Sequence, residues 1–397
     1  MKPSKKKLLL ALTGLVTGLL LLASCLGSGS AARGWAGISE LNNTLIFASM
    51  TGNIYAVDST SGTVSGTPIR LVLTASGGLS CIPSCGGQQV TPIAIYGSPG
   101  TTGDLVIIGG YNGKVYAFPL VDGKFRDQVR WEYPPSTQGG LGTNIIGGLT
   151  VANDKVYFAA ADGTVYALTT TDGYKEWSYS IGQKIWSTPT IAGDTLYIGS
   201  FDKKLYALNA STGAKKWEFA TDGVISAPPV VSGNLVYFGS YDRHFYAVDA
   251  ESGQLVWKFP ADGGTLDSPR NWFWVKPVIS GGTIYAPCLD GRVYALNAST
   301  GSLIAAINLG KPIASSPVVV GDSVIVAATD LAKNTSRVYA ISTVNQQSRE
   351  LTSLNEGIDA ALFASGGTVY IHTARDGFYG LNVQNGARQQ FSLTVSK

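Results

Sequence analysis

The chain has 397 residues, of which only 14 % are charged and 49 are glycine, a composition suited to many short strands and tight turns. Its formal charge of +3 misleads: Lys2, Lys5, Lys6 and Lys7 lie in the first 24 residues, which hold no acid, and in the remainder 25 basic residues face 26 acids. So neutral a body is not that of a nucleic-acid binder, because phosphate binding needs clustered Lys and Arg.

The first element in chain order is a targeting segment. "MKPSKKKLLLALTGLVTGLLLLASC" joins a basic start, an apolar run and small residues before a cut, the pattern of a secretory signal. "LASC" at Leu22–Cys25 resembles the bacterial lipobox, which implies that residues 1–24 are removed and that Cys25 is lipidated. Acyl chains on Cys25 would anchor the protein stably to a membrane. Leu26, not Asp, follows Cys25, and the lipoprotein sorting rule then directs the chain to the outer membrane in a cell that has one. An ordinary signal or a transmembrane anchor with a chance cysteine is the alternative. Residues 25–37, with "LGSGSAARG", form a flexible tether. Further on, "CIPSC" sets Cys81 and Cys85 where an exported protein can close a small disulfide loop. Cys288 is expected to be a buried apolar residue, and neither haem-attachment nor zinc spacing occurs.

From Ile38 to Lys397 one motif recurs. Taking the Tyr of "YAL" and its variants as anchor, the copies fall at Tyr55, Tyr116, Tyr166, Tyr206, Tyr246, Tyr294, Tyr339 and Tyr379. Seven residues after the anchor stands Gly in every copy but one; the Tyr339 copy has Gln346. Nine residues before it, five copies carry another Tyr, from Tyr157 to Tyr370. Each unit reads as four short strands, exemplified by "STPTIAG", "TLYIGSF", "KLYALNA" and "KKWEFAT" in the fourth copy. They are broken where Gly, Asp and Asn supply the positive φ of tight turns. A four-stranded sheet cannot cover both faces alone, so neighbouring units must stack. Units of about 40 to 50 residues with four strands predict a propeller. The prediction is therefore all-β: one eight-bladed β-propeller of four-stranded antiparallel blades over residues 38–397, after the signal and tether. No blade is split between the termini, so the sequence leaves open how the ring closes.

"ALNASTGAKKW" (Ala207–Trp217), "AVDAESGQLVW" (Ala247–Trp257) and "ALTTTDGYKEW" (Ala167–Trp177) resemble the tryptophan-docking repeat of pyrroloquinoline-quinone-type β-propellers. That family includes quinoprotein alcohol dehydrogenases and the outer-membrane assembly lipoprotein BamB. The resemblance implies that Trp177, Trp217 and Trp257 pack on the neighbouring blade, with Trp131 doing the same after a longer turn. Copies 1, 6, 7 and 8 carry Gly66, Ala305, Glu350 and Gln390 at that offset, so their docking must differ. For an enzyme, the resemblance implies calcium held by acid and amide ligands, a catalytic Asp and an adjacent Cys-Cys pair. No two cysteines here are adjacent, and no acid matches the calcium or catalytic positions. No catalytic residue, metal or cofactor is therefore expected.

Other chemistry is sparse. The two histidines, His244 and His372, stand in a hairpin and a strand. The "DG" pairs read as turns, and no phosphate loop follows the Gly-rich stretches. The suggestive residues precede the innermost strands. Eleven residues before the second-strand position the type varies: Ile146, Trp186, Ser226, Trp274, Ala314 and Asp359. With "DSPRNWFWVK" (Asp267–Lys276), this predicts a rim of Trp186, Arg270, Trp272, Phe273, Trp274, Lys276 and Asp359 at one mouth of the channel. Aromatic and cationic residues there suit a peptide or protein partner; packing between blades is the other reading. The whole predicts a monomeric, non-enzymatic, lipid-anchored propeller serving as a protein-interaction platform at the cell envelope, on the pattern of BamB. Surface binding of a polysaccharide or small ligand is the alternative, and a quinoprotein dehydrogenase a weaker one.

Overall fold

A computed structural model describes residues 37–48, 52–73, 91–261 and 267–393. The signal segment, Cys25, Cys81 and Cys85 lie outside the described residues. Eight antiparallel sheets follow one another along the chain, and each is one blade. Blade 4 is representative: Thr190–Ala192, Thr195–Gly199, Lys204–Asn209 and Lys215–Ala220 pair in sequence order. Blade 2 departs, because its third strand, Val115–Val121, pairs with both Lys124–Phe125 and Trp131–Tyr133.

The turns form for local reasons. After the third strand of blade 4, the Asn209 side chain accepts hydrogen bonds from the Ser211 and Thr212 amides, and Gly213 closes the turn at φ +74°. Asp58, Asp249, Asn297 and Asn382 do the same in blades 1, 5, 6 and 8. In the preceding hairpin, Asp202, Asp242 and Asp290 each take the anchor tyrosine's hydroxyl at 2.5, 2.8 and 2.7 Å. Burial and the carboxylate beside it push the Tyr206 and Tyr294 hydroxyls above the ordinary phenol range. These aspartates are turn formers and clamps.

The apolar core is divided among the junctions. Eight hydrophobic clusters occur, one between each blade and the next. Between blades 4 and 5, Tyr197, Leu205 and Ala207 meet Val236, Phe238 and Val248, all at most 3 % exposed.

The recurrent Gly, Tyr and Trp form one device. In blade 5, the Trp257 indole N–H donates to the Ala298 carbonyl of blade 6 at 3.0 Å, and the Tyr237 hydroxyl donates to the same oxygen at 3.2 Å. The indole lies over Gly301, where an added Cβ would fall 2.5 Å from the ring. Trp177 and Trp217 repeat this on Ala210 and Gly213, and on Ala250 and Gly253. Trp131 of blade 2 bonds the Thr170 carbonyl and covers Gly173 of blade 3. The periodic glycine is thus the seat for the preceding blade's tryptophan. A bulge in the fourth-strand pairing of blades 3 to 5 falls beside the Trp, where two residues oppose one and the side chain is re-aimed.

The departures compensate one another. Blade 6 has Ala305 where a Trp is expected, and Gln346 stands at the blade 7 seat, its amide donating to the Tyr285 hydroxyl at 3.1 Å. Blade 7 has Glu350, and Arg349 donates to the Val383 carbonyl of blade 8 at 3.2 Å in the indole's stead. Blade 8 has Gln390, yet Phe391, one residue on, lies over Gly62 of blade 1. Among the described residues, blade 1 is built only from Ile38–Arg70 and blade 8 only from Phe363–Phe391, and the contacts that close the ring between them are made by side chains. Tyr370 donates to the Ser59 carbonyl at 3.1 Å, and Phe47 stacks on Phe378 at 4.2 Å.

Candidate binding site at the channel mouth

The chain enters each innermost strand through a short stretch with period-2 alternation. Its inward positions are Ile95, Ile145, Ile185, Ile225, Ile313 and Ile358, all at most 3 % exposed. Phe273 holds this position in blade 6, four residues before Pro277 just as Ile185 and Ile225 precede Pro189 and Pro229. It is 1 % exposed and packs edge-on against Phe245 and Tyr294. Phe273 is therefore a core residue and is removed from the predicted rim.

The residue that follows this position turns toward the channel in blades 2, 3, 4, 6, 7 and 8. Trp186, Trp274, Lys276 and Asp359 line one cavity of about 670 Å³, together with Ile146 and Ala314. Blade 2 adds Tyr96, which the sequence reading passed over because the insertion before it obscures the repeat; its place three residues before Pro99 was the available signal. Ser226 is absent from the lining: it is 8 % exposed, and its hydroxyl donates to Tyr241 at 2.9 Å. Tyr241, also missed, stacks on Trp272 at 4.6 Å and on Trp274 at 5.6 Å. Burial pushes its hydroxyl above the ordinary phenol range. Trp272 thus supports the stack without facing the cavity. Arg270 is exposed and lies off the lining, its amide held by Asp290 at 3.0 Å. Trp186 packs edge-on against Phe201 at 4.7 Å.

Neighbouring blades hold the mouth rigid. Gly148 donates to the Thr188 hydroxyl at 2.7 Å, and the Lys276 amide to the Ser316 hydroxyl at 3.2 Å. Thr150 and Thr190 each donate to a proline carbonyl of the next blade, Pro189 and Pro229. The side chains therefore project from a braced backbone.

Among the described residues Lys276 and Asp359 are the only charged ones in the lining. Among the described residues neither side chain has an ion-pair or hydrogen-bond partner. Lys276 is accessible to water, but protein encloses it on the channel wall, and the lost hydration lowers its ammonium from the ordinary lysine range. The same loss raises the Asp359 carboxyl. For Asp359 the folded state favours the protonated form, so stability is lost as pH rises past the ordinary carboxylate range. Asp359→Asn is accordingly expected to be more stable than the native chain at pH 7, by a margin that shrinks toward about pH 4. Paired denaturation curves at pH 4, 5.5 and 7 check this; a margin independent of pH would show that the carboxylate carries no desolvation cost.

The other candidates are structural. His372 is 2 % exposed, with Nε2 3.3 Å from Asp376, and His244 sits 3.5 Å from Asp242. Cys288 is fully buried and burial pushes its thiol up. Among the described residues no three His, Cys, Asp or Glu side chains converge on a possible metal position. Among the described residues Asp359 is the single carboxylate of the channel lining.

No curated protein sequence matches the chain. Among solved structures it is similar to BamB from Moraxella catarrhalis, with TM-score 0.63 and 19 % identity over 86 % of this chain and 94 % of that one. Saccharomyces cerevisiae Sqt1 superposes with TM-score 0.66 and 12 % identity, covering 89 % of this chain and 96 % of that one. The quinohemoprotein alcohol dehydrogenase ADHIIG of Pseudomonas putida HK5 gives 0.57 and 14 %, over 74 % and 66 %. Identities this low carry the fold alone. The family model described as outer membrane protein assembly factor BamB matches residues 50–186 and 181–391, nearly the whole ring. The chain belongs to this BamB family of pyrroloquinoline-quinone-repeat-like β-propellers.

Proposed function

We propose that the chain is a non-catalytic, lipid-anchored envelope protein whose propeller is a platform for protein partners in outer-membrane protein assembly. The family match across residues 50–391 carries the reading. Two further features support it. The "LASC" ending of the leader, followed by Leu26, supplies an anchor at Cys25 and an outer-membrane address. At the channel mouth, aromatic and charged side chains stand on a braced backbone, as a binding surface requires.

Anchoring and partnership are tested separately. Cys25→Ser is expected to move nearly all of the protein from the membrane to the soluble fraction; full retention would remove the lipid anchor. A photo-crosslinking residue at Arg270, exposed beside the mouth, is expected to capture the same outer-membrane assembly proteins in repeated membrane preparations, identified by mass spectrometry. Capture of none, with a control site at Tyr174 on the opposite turns equally silent, would sink the platform reading.

A further inference from the structure

We propose that the central channel binds a short peptide with both termini free, its carboxylate on Lys276 and its ammonium on Asp359. The cavity of about 670 Å³ lies within the size range of small-ligand sites. Among the described residues its lining is neutral except for one cation and one anion. Elsewhere in the ring, Lys114, Lys155 and Lys204 each hold a carboxylate, at 3.2, 2.7 and 2.5 Å. Lys276 and Asp359 share a cavity yet are left unpaired by the described residues. Lys276 is exposed to the water of the channel and Asp359 is half-buried, so a ligand that brings the opposite charge to each gains an ion pair at both ends, and at Asp359 it also offsets the cost of burying a charge without a partner.

Placement and lining select the ligand. Lys276 precedes the inner strand of blade 6 and Asp359 that of blade 8. Blade 7, between them, adds Ala314, Ser316, Pro317, Val318 and Val319 to the lining, none of them charged. A ligand that meets both charges extends past blade 7, and three extended residues, spanning roughly 10 Å, carry their two terminal charges that far apart. Trp186, Trp274 and Tyr96 offer apolar faces for the side chains. A protein terminus brings one charge only and satisfies one of the two groups.

The test is calorimetric titration of the full chain with an equimolar pool of Ala-X-Ala tripeptides, free or blocked at one end by N-acetylation or C-amidation. Each block removes one charge-assisted hydrogen bond and should weaken binding about tenfold or more. The variants discriminate crosswise. Lys276→Met should bind free and amidated peptides alike while still rejecting acetylated ones; Asp359→Asn should show the reverse. A merely structural defect would weaken all three probes together. The proposal fails if free tripeptides give no heat, if blocked peptides bind as well as free ones, or if both variants lose both preferences. These outcomes do not depend on the crosslinking result at Arg270, so either reading can fall without the other.

Discussion

Trp257→Ala is expected to destabilise the protein by about 3–5 kcal/mol, the range for deleting a large buried aromatic side chain. The indole is 8 % exposed, packs 5.9 Å from Tyr237 and bonds the next blade's Ala298 carbonyl. Because Gly301 exists to seat that ring, the two positions are coupled. Gly301→Ala in the native background must displace the indole and also hold Ala at φ +72°. With Trp257 already removed, only the backbone cost of about 1–2 kcal/mol for a left-handed residue remains. A double-mutant cycle from denaturation curves measures the difference. Additive effects would show that the glycine serves only its own turn. Blade 6 supplies the converse: Ala305→Trp is expected to be destabilising, since Gln346 fills the seat, and adding Gln346→Gly should restore most of the loss.

The repeat was legible because its residues do local work at fixed offsets. A Tyr pairs across the sheet, an Asn or Asp builds the turn, and a Gly closes it, so the four strands and eight blades could be counted from spacing. The contacts that give the offsets their meaning run between blades, about forty residues away: the family resemblance implied that the tryptophans dock on the next blade, but not which residues receive them. Nothing near Gly301 shows that it serves Trp257 of the previous blade. Phe391 was missed as the closing staple because it stands one residue beyond the Trp offset, where Gln390 occupies the expected place. Phe273 was assigned to the rim by its neighbours Trp272 and Trp274, although period-2 alternation sends it to the opposite side. Its register against Pro277 aligns it with the buried isoleucines and could have corrected the reading. Lys276 and Asp359 were visible as charges, but that they share a cavity and lack partners is a property of the closed ring.

That closure sets the second large effect. Phe391→Ala is expected to cost about 3–5 kcal/mol at equilibrium, comparable to loss of an internal tryptophan; Phe391 is 7 % exposed and packs 5.3 Å from Phe378 and 6.2 Å from Tyr370. The two losses differ in where the ring opens. Blades 5 and 6 stay joined by the chain when Trp257 is removed, so their faces remain close and re-form readily. Among the described residues blades 8 and 1 share no strand and no connecting segment, and once their side-chain seam parts, the rest of the ring holds them near each other. In a stacked array whose units contact only their neighbours, opening then starts at the free ends. Hydrogen exchange in Phe391→Ala should accelerate first in Thr44–Ala48 and Thr368–His372, with Leu235–Gly239 of blade 5 protected nearly as in the native chain. Uniform acceleration across all three strands would mean that the propeller opens as one unit and that its closing seam is no weaker than the others. Acceleration confined to the terminal blades would identify Phe391, Tyr370 and Phe47 as the latch on which the channel, and the charges facing into it, depend.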